Sequence, residues 1–120
     1  MISALADEVR KRCGHDITTC DSAEPRSIEQ LRRLGLRVVG AKKGPDSVDH
    51  GMKWLQTLAA IIIDPKTCAF AAKEFWRYEY ERDKSGEIIH RYPDKDNHTI
   101  DAVRYAMESV SGMKAAIVPR

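Results

Sequence analysis

The stretch ITTCDSAEPRSIEQLRRLGLRVVGAKKG, residues 17–44, decides the fold. It opens with a short β-branched run, Ile17 to Cys20, which reads as a buried strand ending at Asp21. Ser22 and Pro25 mark a turn. Ser27 is expected to cap a helix carried by residues 29–34, with Ile28, Leu31 and Leu34 on one face. Gly35 suits the end of that helix, and Leu36 to Val39 reads as a second strand. A strand, a helix and a strand in that order predict a right-handed crossover joining a parallel pair, so the fold class is α/β.

Upstream, Ile2, Leu5, Ala6 and Val9 recur at helical spacing and Gly14 stops the run, which predicts a helix over residues 3–13. Downstream, Asp46 or Ser47 caps a helix over 47–59 with Val48, Met52, Leu55 and Leu58 inward. Ile61 to Ile63 reads as a third short strand ended by Pro65. A helix then runs through Trp76, with Phe70, Ala71 and Phe75 as its apolar side. Residues 78–81 and 87–92 alternate about the turn DKSG, a hairpin signal with Gly86 placed for positive φ. Trp54, Trp76, Tyr78 and Tyr80 are assigned to the core and the hairpin. A last helix over 97–110 presents Ile100, Val103, Ala106, Met107 and Val110 to the core, and residues 111–120 read as a tail.

Composition sets the outer bounds. A chain of 120 residues with 42% hydrophobic and 32% charged residues suits one globular domain, or part of one, and excludes wholesale disorder. Twenty Lys and Arg against eighteen Asp and Glu leave a net charge of +2, so any nucleic-acid contact must come from local patches. Cys13, Cys20 and Cys68 form no CxxC pair, which argues against a disulfide framework or a zinc site. The apolar run 58–63 is too short to span a bilayer, and the amino-terminus has no signal-peptide pattern, so no membrane role and a cytoplasmic location are expected. No GxxxxGK[ST] or GxGxxG occurs, which excludes nucleotide hydrolysis by these familiar loops.

Three stretches carry chemistry. In DKDNHTIDAVRYA, residues 94–106, His98 and Asp101 stand three apart and share a helix face, where an imidazole and a carboxylate can converge on a metal ion. The same spacing is compatible with a plain helix cap, a solvated Asp and an exposed His. Asp21 sits where a strand meets the turn into a helix, the place where open α/β sheets bind ligands, and its carboxylate suits a hard divalent cation. It is equally compatible with an Asx turn. Lys42-Lys43-Gly44 leaves the second strand at the same sheet edge and can approach a phosphodiester backbone, or simply be solvated.

Taken together, residues 21–56, 74–87 and 92–107 resemble the nuclease domain of the large terminase subunit of tailed bacteriophages. The segments DSAEP, KG-x-x-S-[VI]-x-x-G and NH-x-IDA-x-RYA carry the likeness, in that order, from about residue 3 to about residue 110. The resemblance implies an RNase H-like fold, short parallel strands flanked by helices plus a β-hairpin. It implies a metal-dependent endonuclease that cleaves concatemeric phage DNA during genome packaging. It assigns Asp21, Asp101 and His98 to catalysis and to binding Mg²⁺ or Mn²⁺, two ions in the family, and Lys42 and Lys43 to DNA. The implied partners are double-stranded DNA, the terminase small subunit and the portal or procapsid, in the cytoplasm of a bacterial host.

The family fold normally begins with strands of which the first supplies a further Asp, and only Met1 and Ile2 precede the first helix of this chain. Residues 1–110 are therefore expected to form a partial nuclease domain, with 111–120 a tail. Asp94, Asp96 and Glu24 are candidate substitutes for the missing carboxylate. A single weakly held ion and poor cleavage are expected. The strand before Asp21 is left with an open edge, which predicts either a sheet rearranged from 17–20, 36–39 and 61–63 or self-association. The competing function is a non-catalytic module, left from a prophage terminase, that contacts DNA or procapsid. A bland α/β domain is the third reading.

Overall fold

The computed structural model describes residues 2–42, 44 and 46–117, the side chains of 112–117 excepted. Its helices and strands run α1 (Ile2–Cys13), β1 (Thr18–Cys20), α2 (Pro25–Arg33), β2 (Val38–Gly40), α3 (Ser47–Gln56), α4 (Ala69–Arg77) and α5 (His98–Ile117). The chain divides into two units, Met1–Thr57 with Arg104–Arg120, and Leu58–Val103.

The first unit holds the strand-helix-strand element read from residues 17–44. β1 and β2 pair in parallel with Thr18 opposite Val38, Thr19 opposite Val39 and Cys20 opposite Gly40. Helix α2 starts earlier than expected. Pro25 occupies its first turn, where a missing N–H costs nothing, and Ser27 lies inside the helix with its hydroxyl donating to Glu24 Oε2 at 3.0 Å. Neither Glu24 before α2 nor Asp46 before α3 makes a side-chain capping bond. Gly35 ends α2 with φ of +94°, a backbone conformation that side-chain-bearing residues disfavour. Its amide donates to Arg32 O at 3.0 Å and the Leu36 amide to Leu31 O at 3.2 Å, the paired bonds of a Schellman ending. Leu31 and Leu36, brought together by that ending, are both buried.

With Ala6, Ile28 and Val38 they form the core, against which Ile2, Val9 and Cys20 pack. Arg32 Nε also ties α2 to the sheet by donating to Val38 O at 2.8 Å. Ion pairs such as Arg10–Asp7 and Arg33–Glu29 lie on exposed helix faces. Such pairs contribute about 0–1 kcal/mol each. Burying a Leu, Ile or Val side chain such as those of this core contributes up to roughly 1.5–3 kcal/mol. Burial therefore holds this unit.

The second unit is organised differently. Residues 61–63 form no strand, and Ile62 is 93% exposed. A β-branched run becomes a strand only when another strand takes its hydrogen bonds, and among the described residues the sheet has two strands, β1 and β2. The three-stranded rearrangement is thereby ruled out for the described residues. The hairpin forms about one antiparallel bridge, Arg82 opposite Ile88, rather than two regular strands. Asp83 closes its turn, with Oδ1 accepting from the Ser85 and Glu87 amides at 2.8 and 3.0 Å, and Gly86 takes φ of +83°. The Arg91 amide bonds back to Ile89 O at 2.6 Å and kinks the returning arm out of strand geometry. Tyr78 Oη donates to Pro93 O at 2.6 Å and the rings of Tyr80 and Tyr92 lie 5.0 Å apart.

Several expected core positions lie on the surface. Phe70 and Trp76 are 82% and 88% exposed, so Trp76 does not join the core. Leu5, Leu34, Val48 and Leu58 are exposed too. Among the described side chains of α5 the buried positions are Ile100, Arg104 and Ser111, whereas Ala106 and Val110 are exposed. The stripe is rotated because polar residues can line it. Arg104 lays its stem against Gly51, and Ser111 Oγ donates to Glu108 O at 3.1 Å. The last helix also continues to Ile117, past the expected end at 110. Residues 118–120 of the expected tail lie outside the described residues. No helix of the described residues is long and apolar enough to cross a membrane.

Candidate functional site

The parallel register sends both strands out of one sheet edge. Asp21 follows β1 there, and Ala41 follows β2 beside it, its amide donating to Cys20 O at 2.7 Å. Asp21 is exposed, and its Oδ1 accepts from the Ala23 amide at 3.0 Å. That bond is an Asx turn, which orients the carboxylate at the strand end rather than removing it from solvent. Lys42 is exposed, and Lys43 lies outside the described residues. The loop that carries Lys42 is anchored from α5. Both carboxylate oxygens of Glu108 lie 3.1 Å from the Lys42 amide. Oxygens on one helix hold the backbone while the lysine side chain stays outward.

A second junction in this unit explains two residues of the motifs. A Cβ added to Gly51 would stand 2.8 Å from Arg104 Cδ and 3.2 Å from its Cγ. Glycine at 51 is therefore the space that the buried Arg104 stem fills, and the Arg104 guanidinium carbon lies 5.3 Å from the Tyr105 ring centroid. The final Gly of the KG-x-x-S-[VI]-x-x-G segment and the Arg of RYA are one packing unit.

His98 and Asp101 lie in the other unit, on the first turn of α5. His98 is exposed and Asp101 half-buried, and the Asp101 amide donates to Asn97 O at 2.8 Å. Asp96, just ahead, takes φ of +52°. The helix start is held by Glu74 of α4. Its Oε1 accepts from the Thr99 amide at 2.8 Å, the Thr99 hydroxyl at 2.7 Å and the Ile100 amide at 3.4 Å. Burial works against the Glu74 charge. The Thr99 hydroxyl, the two amides and the nearby His98 outweigh it and hold its carboxyl below the ordinary glutamate range.

Of the candidate substitute carboxylates, Glu24 is engaged by Ser27, and Asp94 and Asp96 are exposed in the loop before α5. Among the described residues, no three His, Cys, Asp or Glu side chains gather into a metal-binding cluster. Glu74, Glu108 and the Gly51–Arg104 contact were not anticipated from sequence. Each joins residues remote in the chain, and no local pattern marks them. Next to Glu74, α4 and the hairpin enclose an open groove of about 730 Å³ whose lining mixes Lys73, Arg77 and Lys95 with Glu79 and Glu81. Its charges nearly balance, so it shows no preference for an anion.

The chain is similar to known proteins. Residues 3–109 match the family model of the terminase RNase H-like domain. The chain is 57% identical over 110 residues to the large terminase subunit of Bacillus phage SPP1, covering 89% of this chain and 26% of that protein. It is 34% identical over 101 residues to the PBSX phage terminase large subunit of Bacillus subtilis strain 168, covering 82% of this chain and 23% of that one. The crystal structure of the large terminase nuclease domain of bacteriophage SPP1, solved with bound Mn, superposes with a TM-score of 0.76 at 49% identity. That match covers 92% of this chain and 64% of the other. The chain spans about a quarter of the length of the curated relatives it matches.

Proposed function

The chain belongs to the terminase RNase H-like domain family, and from that premise we propose that it serves a metal-dependent endonuclease that cuts concatemeric phage DNA during genome packaging. The observation that carries this reading is the pairing of His98 and Asp101, one turn apart on the accessible first turn of α5, in a chain 49% identical to a nuclease domain solved with bound Mn. The donor types fit a divalent ion. Two carboxylates and an imidazole suit Mg²⁺ or Mn²⁺, and Asp21 stands at the strand end where such folds bind ligands.

In this reading Asp21, Asp101 and His98 hold the ion, and Lys42 and Lys43 steer the phosphodiester backbone toward it. A bound divalent ion supplies a nucleophilic hydroxide near neutral pH and stabilises the leaving oxygen. The Asx turn fixes Asp21, Glu74 fixes the turn bearing His98 and Asp101, and Glu108 fixes the loop bearing Lys42. With two carboxylates and one imidazole to offer a hard ion, this chain binds it weakly and cuts slowly. The working part is residues 1–110. DNA, the terminase small subunit and the portal or procapsid are its partners in the host cytoplasm, and the edge of β1 away from β2, unpaired among the described residues, can pair with a second copy.

The exposed Lys42 just past β2 also suits a second reading, a module that contacts DNA or procapsid without cutting. Supercoiled plasmid incubated with the pure chain and Mn²⁺ separates the two. Slow nicking that is lost in Asp21→Asn and Asp101→Asn supports the endonuclease. Salt-sensitive DNA binding with no nicking at any Mn²⁺ concentration supports the second reading. Neither nicking nor binding overturns both.

A further inference from the structure

The capping of α5 departs from the usual arrangement. Asn97 precedes the helix, and a side chain at that position normally accepts from the amides of the second and third helical residues, Thr99 and Ile100. Here a carboxylate from another helix, 25 residues away, takes both amides and the Thr99 hydroxyl as well. Three donors on a single oxygen leave the first turn of α5 little freedom to rotate or fray. That turn carries His98 immediately before Thr99 and Asp101 immediately after Ile100. Glu74 therefore grips the two residues that lie between the proposed ligands. Its charge, stabilised in the ionised form by those donors, also adds to the negative field at the positive end of the helix.

We infer that Glu74 is a positioning residue for divalent-ion binding by His98 and Asp101, acting through the backbone of Thr99 and Ile100. The inference rests on the reading of His98 and Asp101 as ion ligands. Groups that orient ligands without touching the metal commonly change affinity by about 10–100-fold when removed. Glu74 acts on the helix rather than on a ligand atom, so the lower end of that range applies.

The test is titration of the full chain with Mn²⁺ alone, read by paramagnetic broadening of the His98 ring and Asp101 amide signals. Melting is followed in parallel by circular dichroism. Glu74→Ala, which removes both acceptor and charge, is expected to need about tenfold more Mn²⁺ for the same broadening. Glu74→Gln keeps an acceptor oxygen and loses the charge, so it is expected to fall between Ala and the parent chain. Thr99→Val removes one of the three donors and nothing else, and is expected to shift the titration two- to threefold, by about the share of one bond in three. It keeps the test decisive if Glu74→Ala unfolds. Glu74→Ala or Thr99→Val titrating like the parent chain, while Asp101→Asn loses its broadening, overturns the inference and leaves the ligand reading standing. An Asp101→Asn chain that still broadens at His98 like the parent overturns the ligand reading and the inference with it.

Discussion

The two units of this chain are held by different forces. The first buries Ala6, Ile28, Leu31, Leu36 and Val38 around a parallel strand pair. The second leaves Ile62, Phe70 and Trp76 more than four-fifths exposed, and α4 buries no residue. Besides the buried Ile100, what orders it is hydrogen bonding, from Glu74 to the start of α5, from Asp83 within its turn and from Tyr78 to Pro93. Burial is non-directional and sums over area, whereas a hydrogen bond contributes only about 1 kcal/mol net but fixes geometry. The first unit is thus the stable scaffold for Asp21 and Lys42, and the second is an orienting frame for His98 and Asp101.

The largest expected effect lies in the buried unit. Leu31→Ala should lower stability by about 2–4 kcal/mol, seen as an earlier urea midpoint, because it removes core contacts and leaves a cavity. A loss below about 1 kcal/mol would mean that this core contributes far less than its burial implies. Gly51→Ala comes next. A methyl 2.8 Å from Arg104 Cδ must displace a buried stem, at a cost of about 1–3 kcal/mol. Combining it with Arg104→Ala should recover part of that loss, and strict additivity of the two would show that the contact is not shared.

The hydrogen-bonded unit should respond to pH instead. The Glu74 carboxyl is held below its ordinary range, so its contribution to stability is present above the ordinary glutamate value and fades as pH falls through the depressed one. Glu74→Gln keeps an acceptor but loses the charge, so near neutrality it should be less stable than the parent by about 1 kcal/mol, the difference between a charged and a neutral acceptor. The gap should close under acid, and midpoints compared at neutral and strongly acidic pH would show whether it does. The smallest effect belongs to the exposed aromatics. Trp76→Ala should move the melting midpoint by an amount equivalent to less than about 0.5 kcal/mol. A larger loss would show that this unit depends on burial after all.

The strand-helix-strand element was legible because its signals are local. A β-branched run, a turn and an apolar helical face ended by Gly35 each act within a few residues, and the Schellman bonds realise them without outside help. Residues 61–63 depart from the strand pattern for the opposite reason. Ile61 to Ile63 has the residue types of a strand, but pairing is a property of neighbours, and none of the described strands takes it. The buried stripe on α5 differs from the apolar one because hydropathy places Arg104 on the surface, while a glycine at 51 makes room for its aliphatic stem. The Asx turn at Asp21 and the exposure of His98 agree with the bland readings of those residues and with the functional ones, since an oriented, accessible carboxylate and imidazole serve both.

Sequence by itself determined the order of the helices and of β1 and β2, the parallel pairing of those strands, and the placing of Asp21 at a strand end and of His98 and Asp101 on one helical turn. These follow from turn chemistry and from fixed helical and strand periods, which act over short spans of chain. Tertiary structure alone decided that Glu74 would hold the turn between His98 and Asp101, that Glu108 would anchor the Lys42 amide from 66 residues away, and that Gly51 would admit Arg104. Those contacts depend on which surfaces meet once the apolar faces are buried, and no periodicity along the chain encodes that meeting.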